Sequence, residues 1–129
     1  MRGGRGLAEE LEGFLGDWGE RTGITVETWA LPATEVPQPI ARAVLAAIEE
    51  ALANVERHSG ARVVSVAVTV GRSGLRMTVS DDGDGFHAAN AGRGITRMRA
   101  RFAEIGGSLS VNSVRGEGTT VTGVVPKRG

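Results

Sequence analysis

The chain has 129 residues, which is enough for one domain with a proper core and too few for two domains of ordinary size. Its 15 basic and 15 acidic residues cancel, so no global charge favours nucleic acid or an acidic membrane as a partner. It contains no cysteine, which excludes disulfides and thiolate metal sites, and no apolar run approaches the roughly 20 residues of a membrane span. We therefore expect one soluble domain without direct contact with nucleic acid or a membrane.

The first predicted helix runs from Leu7 to about Glu20, where apolar residues recur at helical spacing, and Gly23 ends it. An alternating strand is predicted at Ile24 to Trp29, and three prolines then keep the connection extended. Neither segment carries residues typical of catalysis.

The second predicted helix, about Gln38 to His58, has the strongest periodicity in the chain. Ser59 and Gly60 end it. Its polar residues gather along one margin of the apolar face, as a stripe of Glu50, Asn54, Arg57 and His58.

A solvated face is the ordinary interpretation of Glu and Arg in such a stripe, and a capping or core role is that of a lone His. Asn54 is less expected inside a helix, because its amide competes with the backbone for hydrogen bonds. Glu49 and Glu56 are predicted to point to the far, solvent side.

Two alternating strands follow, Arg62 to Val70 and Leu75 to Ser80, and the glycine-containing turn between them predicts an antiparallel pair. The second strand delivers the loop Asp81-Asp82-Gly83-Asp84-Gly85-Phe86. A solvated turn is the ordinary interpretation of such a loop. A calcium loop is disfavoured, because Phe86 and Gly94 fall where the EF-hand pattern needs ligands. Bare backbone beside carboxylates also suits a bound ligand.

Gly92-Arg93-Gly94 is predicted to lead into a third helix, which Gly106 and Gly107 end. A final hairpin joins Ser108 to Ser113 and Thr119 to Val125. The order of helix, strand, helix, two strands, helix and two strands predicts an α+β two-layer sandwich. Its three helices would lie on one face of a mixed, mostly antiparallel sheet.

Together these segments contain the groups that a nucleoside triphosphate site needs. A buried aspartate can accept a hydrogen bond from an adenine amino group, Asn54 can give its carbonyl oxygen to Mg²⁺, and Glu50 can accept a proton. The glycines of the two loops offer backbone amides, and the start of the third helix offers the positive end of its dipole to phosphate.

In this order the segments resemble a known family. Glu50 to His58 resembles the N box of the GHKL ATPases, which include gyrase, heat-shock chaperone ATPases, mismatch-repair proteins and sensor histidine kinases. Asp81 to Phe86 resembles their G1 box, and Gly116 to Thr120 resembles their terminal Gly-Thr turn. Gly92 to Arg101 resembles the G2 segment of the nitrate/nitrite-sensor branch of histidine kinases. The resemblance runs from about Thr22 to the C-terminus.

The resemblance implies the Bergerat-type ATP-binding fold, with ATP and Mg²⁺ as cofactors. Asn54 would ligate the metal, Glu50 would be the general base or would orient the acceptor, and Asp81 would bind the adenine amino group. Either Thr119 or Thr120 would lie beneath the adenine. The other implied nucleotide-binding residues are Arg57, His58, Gly83, Gly85, Gly92 and Gly94.

The resemblance further implies the cytoplasmic catalytic domain of a bacterial two-component sensor histidine kinase, at residues 22–129. Its partners would be a separate histidine-bearing dimerisation domain, reached through residues 1–21, and a response regulator. The isolated domain is expected to be monomeric and unable to phosphorylate itself. The alternatives are a serine kinase of the anti-sigma type and a catalytically silent nucleotide- or partner-binding module.

Two features depart from the family pattern. Only the five residues from His87 to Ala91 separate Phe86 from Gly92, which predicts a very short lid over the phosphates. Arg97 stands where this branch commonly has a glycine. Both departures predict weak or partner-dependent nucleotide binding.

Overall fold

The computed structural model describes residues 6–58, 60–83, 88–114 and 116–127, and these form three helices and a five-stranded sheet. The helices are α1 (Leu7–Thr22), α2 (Gln38–His58) and α3 (Ala88–Glu104), and the strands are β1 (Thr25–Ala30), β2 (Val63–Gly71), β3 (Gly74–Asp81), β4 (Ser108–Val114) and β5 (Gly118–Pro126). The predicted order of elements is confirmed. No helix in the described ranges is long and apolar enough to cross a membrane.

The strands form one sheet in the order β1-β2-β3-β5-β4. β1 pairs with β2 in parallel, and the other neighbours pair antiparallel. Side chains of β2 and β3 alternate between buried and less buried positions, as expected for a sheet with one covered face. The predicted α+β fold with a mixed, mostly antiparallel sheet is confirmed.

The core lies between the helices and one face of the sheet. α2 contributes fully buried Val44, Ile48 and Leu52, which recur at the spacing of one helix face. On α3, Phe102 is fully buried against the sheet, and a Cβ added at Gly123 of β5 would lie 2.5 Å from its ring. The glycine therefore makes room for the ring of Phe102, so α3 can pack closely against β5.

Helix α1 packs its apolar face into the same core, where Leu7, Leu11, Leu15 and Trp18 are buried. The helix ends at Gly23, whose φ of 75° is left-handed and whose amide donates to the carbonyl of Gly19 at 2.9 Å. α1 is thus a structural part of the domain.

Glu56 of α2 is exposed, as predicted, but it is not simply solvated. Its Oε1 accepts hydrogen bonds from Trp18 Nε1 and Arg21 Nη2, each at 2.9 Å, and its Oε2 accepts from Arg21 Nη1 at 3.0 Å. The pairing with Arg21 holds the pKa of the Glu56 carboxyl below its usual value. Glu56 therefore fastens the end of α1 to α2.

The predicted start of the third helix was wrong, because α3 begins at Ala88, a full turn before Gly92. The residues from Ala88 to Ala91 include three alanines, the best helix formers, so the helix forms before the glycine pair is reached. Gly92 and Gly94 consequently lie inside α3 and not at its N-terminus.

Candidate functional site

Asn54 of α2 and Asp81 of β3 line one pocket between the helices and the sheet. The other lining residues are mostly apolar: Ala51, Val55, Val79, Ile95, Met98, Val111, Thr119 and Val121. The pocket has a volume of about 10 Å³, which is room for about one water molecule. Ile95 and Met98 of α3 are buried and fill it. A nucleotide base can enter only if α3 and the sheet separate.

The carboxylate of Asp81 is half-buried at the end of β3. Its Oδ1 accepts a hydrogen bond from the backbone amide of Gly83 at 2.8 Å. Burial raises the pKa of this carboxyl, while hydrogen bonds from the amides of Gly83 and Thr119 partly oppose the shift. Asp81 is thus an oriented acceptor at the polar end of an otherwise apolar pocket.

Gly118 allows β5 to start directly against the backbone of Asp81. Its φ is 104°, and a Cβ there would lie 2.2 Å from the Asp81 carbonyl oxygen. Any other residue would push the two strands apart. This close approach brings Thr119 opposite Asp81 in the strand register.

The structure separates the two threonines that the sequence left as alternatives. Thr119 is buried, lines the pocket and shares a hydrogen bond of 2.8 Å between its Oγ1 and Ser113 Oγ. Thr120 follows it on the strand and therefore points to the opposite face of the sheet, where its Oγ1 lies 2.7 Å from Ser80 Oγ. Of the pair, Thr119 is the one in position to lie beneath a base.

Asp82, the second acid of the loop, has a different environment. It is exposed, and its Oδ1 accepts the backbone amides of Arg62 at 2.9 Å and Val63 at 3.1 Å. These two hydrogen bonds hold the pKa of the Asp82 carboxyl below its usual value. Asp82 therefore ties the start of β2 to the end of β3, a structural role that sequence patterns did not reveal.

A polar cluster of α2 and α3 lies next to the pocket. Asn54 is buried, with 6% of its surface exposed, and its Oδ1 accepts a hydrogen bond from Arg57 Nη2 at 2.7 Å. The same nitrogen lies 3.4 Å from Glu50 Oε2. From α3, Arg97 Nη2 donates to Glu50 Oε1 at 2.9 Å. Both oxygens of the Glu50 carboxylate are thus engaged by arginines.

The cluster opens into a groove of about 320 Å³ between α2 and α3. The groove is lined by Ala46, Glu49, Glu50, Ala53, Arg57, Arg97, Met98 and Arg101. Because Met98 also lines the Asp81 pocket, the pocket and the groove adjoin at this residue. A ligand that crossed from one to the other would meet an apolar region first and arginines second.

Residues 40–129 match a family model described as the histidine kinase-, DNA gyrase B- and HSP90-like ATPases. The chain belongs to this family. The resemblance read from the N box and the two glycine-containing boxes is therefore confirmed at the level of this ATPase family.

The curated relatives of this ATPase domain include sensor histidine kinases. The chain is 35% identical over 126 residues to the sensor histidine kinase LiaS of Bacillus subtilis, covering 95% of this chain and 35% of LiaS. It is 36% identical over 129 residues to the sensor histidine kinase MctS of Rhizobium johnstonii, covering 95% of this chain and 28% of MctS. The chain thus spans about a third of the length of the curated relatives it matches.

The fold of the ATPase domain is also found in a solved kinase. The histidine kinase domain of the blue-light activated histidine kinase from Erythrobacter litoralis EL346 superimposes with a TM-score of 0.80 at 28% identity, covering 94% of this chain and 61% of that one. The chain is thus similar in both sequence and fold to the ATPase domains of sensor histidine kinases.

Membership of the ATPase family implies that the domain binds ATP. The oxygen ligands that the site offers can be compared with those that Mg²⁺ needs. The described residues contain no group of three or more His, Cys, Asp or Glu side chains able to hold a metal. Asn54 offers one buried amide oxygen, and Mg²⁺ commonly takes few protein ligands beside water and phosphate oxygens. The residues therefore fit a metal that arrives with a nucleotide.

The remaining expected site residues of the ATPase domain are less informative. Gly83 is buried and donates its amide to Asp81. Gly85 lies outside the described residues. His58 and Gly92 are described only as parts of the helical backbone of α2 and α3.

Proposed function

We propose that this chain is the ATP-binding catalytic domain of a bacterial two-component sensor histidine kinase, which transfers the γ-phosphate of ATP to a histidine on a separate dimerisation domain. The observation that carries the proposal is the convergence of Asn54 and Asp81 on one pocket. Its support from relatives is that sensor histidine kinases match 95% of the chain.

In this proposal the adenine lies in the apolar pocket between α3 and the sheet. Asp81 accepts a hydrogen bond from the adenine amino group, which gives base specificity because a buried acceptor left without a donor is unfavourable. Ile95 and Met98 must retreat to admit the base. Opening the pocket requires free energy, which accounts for the weak binding expected from the sequence.

The phosphates then extend towards the arginine-lined groove. The Asn54 amide oxygen would ligate Mg²⁺, which would supply charge neutralisation at the phosphates. Arg57 now donates to that oxygen, so it would leave Asn54 when the metal binds and turn to a phosphate. His58 and the backbone near Gly83, Gly85, Gly92 and Gly94 are proposed to lie along the same path.

Glu50 acts on the acceptor in this proposal. The bond between the γ-phosphorus and ADP breaks as a bond to the acceptor histidine nitrogen forms, and ADP leaves. Glu50 accepts a hydrogen bond from the other ring nitrogen, orients the imidazole, and takes its proton. For this role the acceptor imidazole must reach a Glu50 oxygen beside the guanidiniums of Arg57 and Arg97.

The wider setting is part of the proposal. The resembled ATPase motifs lie within residues 22–129, residues 1–21 form the junction to the dimerisation domain, and the phosphoryl group passes on to a response regulator in the cytoplasm. The Gly92 to Arg101 segment favours the nitrate/nitrite-sensor branch, which stays a prediction. Because α1 is buried against α2, the junction includes a helix that belongs structurally to the ATPase domain.

The test is a transfer assay between two purified proteins. The chain is incubated with labelled ATP, Mg²⁺ and the histidine-bearing dimerisation domain of the same kinase, and the products are then treated with acid. We expect acid-labile phosphate on the dimerisation domain and none on the chain alone. Acid-stable phosphoserine on a substrate would favour the anti-sigma alternative. The absence of both phosphoryl transfer and thermal stabilisation by ATP with Mg²⁺ would favour a silent binding module.

A further inference from the structure

We propose that Arg97 is a γ-phosphate-binding residue that rests on Glu50 in the nucleotide-free domain and moves to ATP when it binds. This inference rests on the proposed function, because it assumes that the phosphates reach the groove between α2 and α3. It gives a role to the arginine that stands where the resembled branch commonly has a glycine.

The first support is the geometry of the ion pair. Arg97 Nη2 lies 2.9 Å from Glu50 Oε1, so its guanidinium reaches the carboxylate that would orient the acceptor of the γ-phosphate. In the proposed geometry the γ-phosphate approaches the acceptor beside this carboxylate, which places it within reach of the Arg97 side chain. The Arg97 side chain is 60% exposed, whereas that of Glu50 is 18% exposed. The arginine can swing into the groove without disturbing the core.

The second support is the unbalanced charge of the groove. Its lining contains the guanidiniums of Arg57, Arg97 and Arg101 and the carboxylates of Glu49 and Glu50. Cations thus exceed anions at this place, although the chain as a whole is neutral. An excess of arginine in a concave surface favours a multiply charged anion such as a triphosphate.

The third support is the strength of the contact that Arg97 makes with Glu50, compared with the contact that it would make with a phosphate. The ion pair between Arg97 and Glu50 contributes modestly, because the guanidinium is 60% exposed and therefore stays hydrated and screened by salt. A guanidinium on a phosphate makes charge-assisted, often bidentate hydrogen bonds, which are among the stronger polar contacts. When a γ-phosphate is within reach, Arg97 will therefore prefer it to Glu50.

The movement of Arg97 from Glu50 to the γ-phosphate has a consequence for catalysis. While Arg97 donates to Oε1 and Arg57 Nη2 lies 3.4 Å from Oε2, two guanidiniums occupy the space beside the carboxylate that an acceptor histidine must approach. A bound triphosphate draws Arg97 away and releases Oε1, whereas ADP lacks the γ-phosphate and leaves the pair in place. Arg97 would thus make Glu50 available only when a transferable phosphoryl group is present.

The experiment compares the affinities of the wild-type chain, Arg97→Gln and Arg101→Gln for ATP and for ADP, each with Mg²⁺. Arg101 lines the same groove one turn further along α3, and within the described part of the chain it makes no ion pair with Glu50, so it is the matched control. Binding is followed by displacement of a fluorescent ATP analogue, with titrations carried to millimolar nucleotide.

We expect Arg97→Gln to weaken ATP binding about tenfold, as for the loss of one charge-assisted contact, and ADP binding less than about twofold. Arg101→Gln also removes a positive charge from the groove, so it should weaken ATP and ADP binding by similar factors and leave the ratio of the two affinities unchanged. Arg97→Lys keeps the charge without the planar fork, and it should restore part of the preference for ATP over ADP. Thermal melting of each variant establishes that it is folded.

An unchanged ratio of ATP to ADP affinity in folded Arg97→Gln would overturn the inference. Tighter ATP binding would also overturn it, because Arg97 would then be a lock that opposes nucleotide entry. If Arg97→Gln does not fold, the Lys variant decides: its ATP-to-ADP ratio must fall below the wild-type ratio. A wild-type chain that binds neither nucleotide, even with the dimerisation domain present, refutes the proposed function as well, whereas binding with an unaffected ratio refutes this inference alone.

Discussion

Gly94 of α3 lies directly against the carboxylate of Glu50 on α2, and a Cβ added at Gly94 would be 2.6 Å from Glu50 Oε2. The glycine lies inside the helix, where its amide is used by the helical hydrogen-bond pattern. Its missing side chain therefore matters more than its backbone freedom in this state. Because Gly94 has no side chain, the carboxylate of Glu50 can pack directly against the backbone of α3.

This contact predicts that Gly94→Ala changes activity more than stability. Alanine in a helix interior gains about 0.5–1 kcal/mol over glycine. That gain offsets the displacement of the Glu50 carboxylate, which is the flexible end of a side chain. We expect an unfolding free energy within about 1 kcal/mol of wild type, with phosphoryl transfer reduced at least about tenfold. Chemical denaturation and the transfer assay measure the two quantities.

Gly16→Ala is the matched control for this substitution. Gly16 lies in α1, and a Cβ there would meet no atom within 4 Å. This variant should gain about 0.5–1 kcal/mol of stability and keep full transfer activity. If Gly94→Ala behaved like Gly16→Ala in both assays, the position of Glu50 would not depend on Gly94.

Asp81→Asn tests the adenine end of the site. The amide keeps the shape of the side chain but replaces one acceptor oxygen with a donor, which opposes the adenine amino group. We expect ATP affinity to fall about 10- to 100-fold, the range for a hydrogen bond to a charged group, with little change in fold. Nucleotide titration and circular dichroism provide the measurements. Unchanged affinity would remove Asp81 from the binding site.

Glu50→Gln tests the phosphate end of the site. It should slow phosphoryl transfer and leave nucleotide binding nearly unchanged, whereas Asp81→Asn should weaken binding. Glutamine keeps the volume of the side chain and can still orient a donor, but it cannot take a proton. We expect ATP affinity within about threefold of wild type and transfer to the dimerisation domain slowed by about 10²- to 10⁴-fold. Equal loss of nucleotide binding in the Asp81 and Glu50 variants would show that the two residues do not divide binding and transfer between them.

The sequence predicted some elements closely because their signals are local. The apolar spacing of α2 and the Ser59-Gly60 stop define a helix whose predicted bounds, Gln38 to His58, are those of the structure. The start of α3 was missed, because the glycine pair was taken as the helix start although the alanines before it favour helix. The two threonines could not be distinguished, since a shift of one residue in the register of β5 exchanges the faces of Thr119 and Thr120.

The contacts that organise the site depend on residues far apart in the chain. The Glu50–Arg97 pair joins positions 47 residues apart, and the Trp18–Glu56 hydrogen bond joins positions 38 residues apart. No periodicity predicts such pairs, because each arginine or glutamate also has an ordinary interpretation as a solvated side chain. Arg97 was noticeable only as a departure from the pattern of the resembled family.

The last prediction concerns the pH dependence of stability and the attachment of α1. Arg21 holds the pKa of Glu56 below its unfolded value, so the folded state binds fewer protons there than the unfolded state. The contribution of Glu56 to stability is therefore present above its unfolded pKa and is lost as the pH falls through its folded pKa. We expect Glu56→Gln to lower Tm at neutral pH, and the difference from wild type to shrink as the solution is acidified below the unfolded pKa of a glutamate.

Glu49→Gln, on the same helix, has no described ion pair with α1 and is the control. A Tm difference for Glu56→Gln that stayed constant across this pH range would show that the carboxylate charge does not hold α1 in place, and that the glutamine has disturbed packing around Trp18 instead.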